Sequence, residues 1–233
     1  MLGVRVDCVD MGSALERIEA MVDEGGHHLV ATVNPEFVML AQRDPEFARI
    51  LDSAALCLPD GSGVVWAARR QGCTMPGPVT GVDLIPQLAE LCAHRGWRLF
   101  LLGAGPGVAA ELAGRLKVEL PDLDVELYEG SAEATADDET VGRVADFRPH
   151  VLLVAFGAPK QELWIDRAGR RLQVPVAIGV GGAFDYLTGR VSRAPAWMRR
   201  AGLEWMFRLG RQPWRVRRMA VLPVFAARVL RER

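Results

Sequence analysis

The chain has no run of about 18 apolar residues, so nothing in it reads as a membrane-spanning helix. Its first residues, MLGVRVDCVDMG, lack the long apolar segment of a signal peptide, and a cytoplasmic location is expected. Cysteine is scarce. Cys8, Cys57, Cys73 and Cys92 are widely spaced with no CxxC pair, which predicts reduced, partly buried thiols and not a disulfide scaffold. His27, His28, His94 and His150 show no metal-ligand spacing, and there is neither a DxD-type acidic pair at a strand end nor a Walker sequence. A nucleotide leaving group would then be met by N–H groups, Lys, Arg or Gln instead of a metal ion. Long-period repeats and low-complexity segments are missing too.

What is present is a chain able to pack. Its 233 residues are 50% hydrophobic and 24% charged, enough for one domain with or without an appendage. The net charge of −1 conceals a division. From Arg190 onward, twelve arginines and no lysine face only Glu204 and Glu232, a local charge of +10 that leaves −11 on residues 1–189. That asymmetry predicts an anionic partner for the basic end. Met198, Ala201, Trp205 and Leu209 fall on one helical face, with Arg200, Glu204, Arg208 and Arg211 opposite. Trp214, Val221, Leu222, Phe225 and Val229 share a second face, which Pro223 should kink or divide. Trp, Phe and Arg together suit a helix lying at a membrane surface. The plainer alternative is a packing helix with a solvated basic side, although such sides ordinarily mix both signs.

Apolar runs at Val4–Val9, Leu29–Val33, Ala55–Leu58, Arg98–Leu102, Asp124–Tyr128, Val151–Phe156 and Val174–Val180 read as strands. Helical patterns lie near 13–24, 36–51, 62–71, 83–95, 107–119, 137–147 and 160–172. LFLLG and VLLVAFG are continuously apolar, as strands covered on both faces are. The alternation predicts an α/β fold: a Rossmann-like, mostly parallel sheet sandwiched by helices, with a basic helical C-terminal appendage. The core is assigned to residues 1–193 and the appendage to 194–233.

Ligands of such a sheet bind beyond the carboxyl ends of its strands, and the turns expected there carry the candidate residues. Asp60, in Leu58-Pro59-Asp60-Gly61, stands where a strand gives way to a helix. Helix capping is the commoner use of Asp in that setting, and a general base at the ligand edge is the functional one. Thr32 and Asn34 end the preceding strand and could face the same cleft, though Asn-Pro is also an ordinary turn opener. In Gly103-Ala104-Gly105-Pro106-Gly107 the glycines would let backbone approach a diphosphate at a helix N-terminus, or simply make a tight turn. Gly157, Lys160 and Gln161 form a strand-to-helix junction that suits a polar ligand beside a phosphate, with capping chemistry as the alternative. Gly182 permits close approach, with Asp185 placed for a ribose or base. The Gly- and Pro-rich stretch 72–81 has the composition of a loop over that edge.

Seven segments in order resemble the WecG/TagA/CpsF glycosyltransferases: TVNPEFV (32–38), LPDGSGVVWAAR (58–69), VTGVDL (79–84), LFLLGAGPGVA (99–109), GAPKQELWI (157–165), GVGGAFDYLTGRVSRAP (179–195) and GLEWMFRLGRQPWRVRR (202–218). The resemblance implies a metal-independent, inverting enzyme. Such an enzyme moves a sugar, N-acetylmannosamine or a relative, from UDP to an undecaprenyl-diphosphate-linked sugar at the inner face of the bacterial membrane. UDP-sugar is a substrate in that scheme, no cofactor is implied, and self-association into a homo-oligomer is allowed. Carried over by motif, Asp60 is the general base, Thr32 and Asn34 line the sugar pocket, Gln161 meets the donor or its phosphates, and Asp185 meets the nucleoside. Arg208, Arg215 and Arg218 match positions for the lipid diphosphate. Two segments depart from the family pattern: Gly77-Pro78 precede Val79 with no neighbouring basic residue, and Glu129–Ala132 replace a Gly-Tyr-Phe-like segment.

Two other classes compete. A Rossmann-type NAD(P) oxidoreductase would use Gly103–Gly107 and leave the basic tail unexplained. A non-catalytic membrane-binding relative of the enzyme would explain the tail alone. Interleaved aromatics and the absence of lysine favour a bilayer over nucleic acid as the tail's partner.

Overall fold

The computed structural model describes residues 1–211 and 220–232. In chain order the elements are α1 (Met11–Glu24), β1 (His28–Val33), α2 (Pro35–Ala41), α3 (Pro45–Ser53), β2 (Leu56–Pro59), α4 (Ser62–Arg70), α5 (Gly81–Arg95), β3 (Arg98–Gly103), α6 (Val108–Glu119), β4 (Asp124–Tyr128), α7 (Asp137–Phe147), β5 (Val151–Ala155), α8 (Lys160–Ala168), β6 (Val176–Gly179) and α9 (Ala183–Leu187). Three helices follow: α10 (Ala196–Arg200), α11 (Glu204–Arg211) and α12 (Val221–Arg231).

The six strands form one sheet in the order β2-β1-β6-β5-β3-β4, and every pairing is parallel. Each parallel step needs a crossover, and the helices supply it on both faces. Alternate strand residues feed the two layers. Val30, Leu99 and Leu153 pack under α1, α5, α6 and α9, while Ala31, Phe100 and Leu152 pack under α2, α3, α7 and α8. The registers bring Val33, Pro59, Gly179, Ala155 and Gly103 to a common carboxyl edge. The turns after β3 and β5 lead to helices on opposite faces, so the chain parts there, as it does at ligand crevices of open sheets.

Three sequence expectations need correction. Val4–Val9 is extended but not a strand. Asp7 N–H donates to the Cys57 carbonyl at 2.9 Å, but the Asp7 carboxylate then takes the Cys57 N–H at 2.7 Å. A side chain thus occupies the place of the next ladder bond. The helix expected over 36–51 breaks at 42–44, where Asp44 caps α3 through the Glu46 and Phe47 N–H groups and Pro45 takes the first helical position. Finally, Cys8 and Cys73 are joined as a disulfide, while Cys57 and Cys92 are free and buried. Their separation of 65 residues hid the pairing, which arises because the extended N-terminal segment runs beside the loop after α4.

The C-terminal helix is docked. Phe225 and Val229 of α12 are buried in the same layer as Phe37 and Phe47. Glu232 accepts from Leu2 N–H at 2.6 Å and from Gln71 Nε2 at 2.8 Å. Pro223 falls in the first turn of α12, where its missing N–H costs nothing, and Trp214, from which the expected kinked or divided helix ran, lies outside the described residues. No helix of the described residues is long and apolar enough to cross a membrane.

Candidate active site

A cleft of about 1160 Å³ opens beyond the carboxyl ends of β1 and β2. Asn34 and Asp60 stand at its base, α4 contributes Trp66 and Arg69, and the loop before α5 contributes Pro76, Gly77 and Pro78. The opposite bank comes from the end of the chain: Arg193, Arg199, Glu204, Trp205, Leu209, Leu222 and Phe225. Sequence reasoning placed the appendage at a membrane, and the structure also makes it one wall of the cleft.

Asp60 is where the pattern left two readings open. The α4 cap position falls on Gly61, and no side chain caps that helix. Asp60 N–H donates to the Val33 carbonyl at 2.8 Å, which fixes its backbone at the end of β2 while its side chain lines the cleft. Asn34 does both things expected of it: Oδ1 accepts from Phe37 N–H at 3.1 Å to cap α2, and the residue lines the cleft.

Thr32 and Gln161 come together beneath the turns, outside the cleft lining. Thr32 is buried and its hydroxyl donates to the Gly179 carbonyl at 2.8 Å. Gln161 is 1% exposed; its Oε1 accepts from Gly157 N–H at 3.1 Å and Gly181 N–H at 2.9 Å. One amide oxygen therefore ties the turn after β5 to the turn after β6. Its Nε2 donates at 2.7 Å to Glu162 Oε1, a fully buried carboxyl that burial pushes up to about 8. Gly179 has no room for a side chain: a Cβ there would collide with Glu162 Oε1 and Gln161 Nε2.

The remaining candidates lie on neighbouring turns. Gly103 lies flat against Phe156, whose ring would be 2.8 Å from a Cβ, and takes φ +92°. Gly105 is exposed in the same turn, but the α6 N-terminus that would receive a phosphate is already occupied: Gly107 N–H donates to Glu129 Oε1 at 2.8 Å. Gly157 turns at φ +79°, and Lys160 is exposed, 3.9 Å from Glu133. Gly182 is the cap residue of α9, and Asp185 lies half-buried in its first turn. Arg215 and Arg218 lie outside the described residues, and of Arg208 only the backbone, within α11, is described.

Sequence reasoning missed the cations that the fold brings to the cleft. Arg193 grips Asp83 with both Nη atoms at 2.6 Å, and Thr80 donates to the same carboxylate at 2.8 Å. The Arg193 hydrogen bonds hold Asp83 below the ordinary carboxylate range. Arg69 donates to the Met75 and Pro76 carbonyls at 2.8 and 2.7 Å. The loop with no neighbouring basic residue in sequence is thus held by one in space. Arg199 lines the cleft and is exposed. No local signal marks these residues, since Asp83 and Arg193 are 110 positions apart.

The fold and cleft are those of a Rossmann-like α/β enzyme with its reaction chamber beyond the strand ends. Residues 1–233 match the model of the Glycosyl transferase WecG/TagA/CpsF family, and the chain belongs to that family. It is 33% identical over 213 residues to the N-acetylglucosaminyldiphosphoundecaprenol N-acetyl-beta-D-mannosaminyltransferase of Bacillus subtilis, covering 91% of this chain and 82% of that protein. The Staphylococcus aureus (strain MW2) protein of the same name is 27% identical over 231 residues, covering 98% of this chain and 91% of its own. A glycosyltransferase is thereby favoured over an oxidoreductase, in line with the Glu129 carboxylate on the glycine-rich turn.

Proposed function

We propose that this protein transfers a sugar, N-acetylmannosamine or a close relative, from UDP to an undecaprenyl-diphosphate-linked amino sugar, with inversion and without a metal. The observation that carries the proposal is Asp60: released from the capping position, it lines a cleft that also holds guanidinium groups and an apolar wall. In a single displacement the acceptor hydroxyl oxygen forms the new bond to the anomeric carbon as the bond to UDP breaks. Asp60 receives the hydroxyl proton, and UDP leaves with the electron pair. The names of the Bacillus and Staphylococcus relatives support the choice of acceptor and sugar. The lack of a DxD-type acidic pair at the carboxyl end of a strand supports a metal-free reaction, with Lys160 and backbone N–H groups of the Gly157 and Gly182 turns meeting the diphosphate. Asp185 would hold the nucleoside and Asn34 the sugar side, with Thr32 and Gln161 supporting the turns from beneath, and Arg208, Arg215 and Arg218 would hold the lipid diphosphate. The basic end would sit on the anionic inner leaflet, and the enzyme would work there as a peripheral protein or homo-oligomer.

The test is turnover of UDP-N-acetylmannosamine on a synthetic N-acetylglucosaminyl-diphospholipid. Asp60→Asn should lower kcat by about 10²–10⁴-fold and leave UDP affinity close to wild type. If wild type is as inert as Asp60→Asn with every UDP-sugar tried, the chain is a non-catalytic relative. Thermal stabilisation by NAD and not by UDP would overturn the donor assignment.

A further inference from the structure

Glu162 has no part in the mechanism above. It is nevertheless 0% exposed, and its Oε2 atom has no hydrogen-bond partner among the described residues. A buried acid costs stability wherever its polar atoms go unpaired. Its Oε1 atom accepts from Gln161 Nε2 at 2.7 Å. An amide can stand in two orientations, and here both ends are decided from outside. Two backbone N–H groups demand an oxygen at one end, and Glu162 Oε1 accepts from the nitrogen at the other. Removing the acceptor at Glu162 would leave the Gln161 amide held from one side only, in a pocket where Gly179 has been kept bare to admit both side chains.

We propose that Glu162 is a positioning residue: it fixes the Gln161 amide so that one oxygen holds the Gly157 and Gly181 turns in register at the donor side of the site. The inference rests on the proposed reaction only for its consequence in catalysis; the holding of the two turns stands on geometry alone. Burial acts on the carboxyl more strongly than any neighbour, and the other influences are the hydrogen bond from Gln161 and the residue's own backbone. A neutral carboxyl keeps the acceptor oxygen while avoiding a buried charge.

The experiment compares Glu162→Gln, which keeps an acceptor oxygen, with Glu162→Leu, which fills similar space without one. Site-resolved amide exchange is read alongside kcat and KM. In Glu162→Leu the Gly157 and Gly181 amides should exchange roughly tenfold faster, with KM for the UDP-sugar raised to a similar degree and KM for the lipid acceptor within about twofold. Glu162→Gln should restore protection at both amides and the donor KM to within about threefold of wild type. Should Glu162→Leu not fold, Glu162→Asp, which withdraws the carboxyl by one methylene, must show the same two-amide signature. Unchanged exchange at Gly157 and Gly181, or loss of protection spread evenly over the sheet, would overturn the proposal. If wild type turns over no UDP-sugar, the proposed function fails while the exchange comparison still decides this inference.

Discussion

At the scale of single residues, burial and pairing set how the protein should respond to pH. Glu162 ionises near 4.5 when unfolded and near 8 when folded, so the folded state retains a proton that the unfolded state releases. Stability should fall as pH rises between those values, by at most roughly 1.4 kcal/mol per pH unit, and level off above. Glu162→Gln should remove that slope. Urea midpoints at pH 5 and pH 8 measure it, and identical slopes in the two proteins would mean that the carboxyl is solvated. Asp83 works in the opposite sense. Its folded-state value is depressed by Arg193, so its contribution is present at neutral pH and disappears as pH falls through that value. Both partners are partly exposed, with side-chain exposures of 22% for Arg193 and 39% for Asp83, so solvent screens the pair. A double-mutant cycle with Asp83→Ala and Arg193→Ala should give a coupling of about 1 kcal/mol. Zero coupling would reduce the clasp to a surface contact.

At the scale of elements, the parallel strands were legible because burial on both faces demands uninterrupted apolar runs, as in Leu99–Leu102 and Val151–Val154. Val4–Val9 alternates like a half-buried strand, and nothing local says that Asp7 will replace a ladder bond with its own carboxylate. Asp60 was legible as a candidate at the strand end, but its local pattern left capping and the cleft both open, because capping and non-capping differ by one position at Gly61. The role of Glu162 was hidden, since a glutamate beside Lys160 and Gln161 reads as exposed. The appendage was visible in its charge, whereas its docking was not. With Phe225 2% exposed, Phe225→Ala should cost roughly 3–5 kcal/mol in chemical denaturation. A loss under about 1 kcal/mol would show that α12 is only loosely placed. Truncation after Arg193 removes Arg199, Trp205 and Phe225 from the cleft. It should abolish transfer to lipid acceptor while UDP affinity, measured by calorimetry, persists. Full-rate transfer by the truncated protein would make the appendage an anchor alone.

At the scale of the whole molecule, the division of charge into −11 and +10 gives the protein a strong electrical polarity that its net charge hides. Trp197, Trp205, Met206 and Leu230 are exposed along the basic end, beside Arg199 and Arg211. Affinity for vesicles containing anionic lipid should therefore drop several-fold as salt rises from about 50 to about 300 mM, with little binding to neutral vesicles. Equal affinity for neutral and anionic vesicles would leave the aromatic side chains as the anchor and the arginines for the substrate.

The cleft takes one bank from residues 34–83 and the other from 193–226, with four of the six strands, β3 to β6, lying between them in the chain. A ribosome therefore delivers β6, which ends at Gly179, before it delivers Trp205 or Phe225. The emerging polypeptide can complete its sheet while half of its reaction chamber is still unmade. The cleft is thus completed only when residues 193–226 emerge, and a product that ends before them lacks one of its banks.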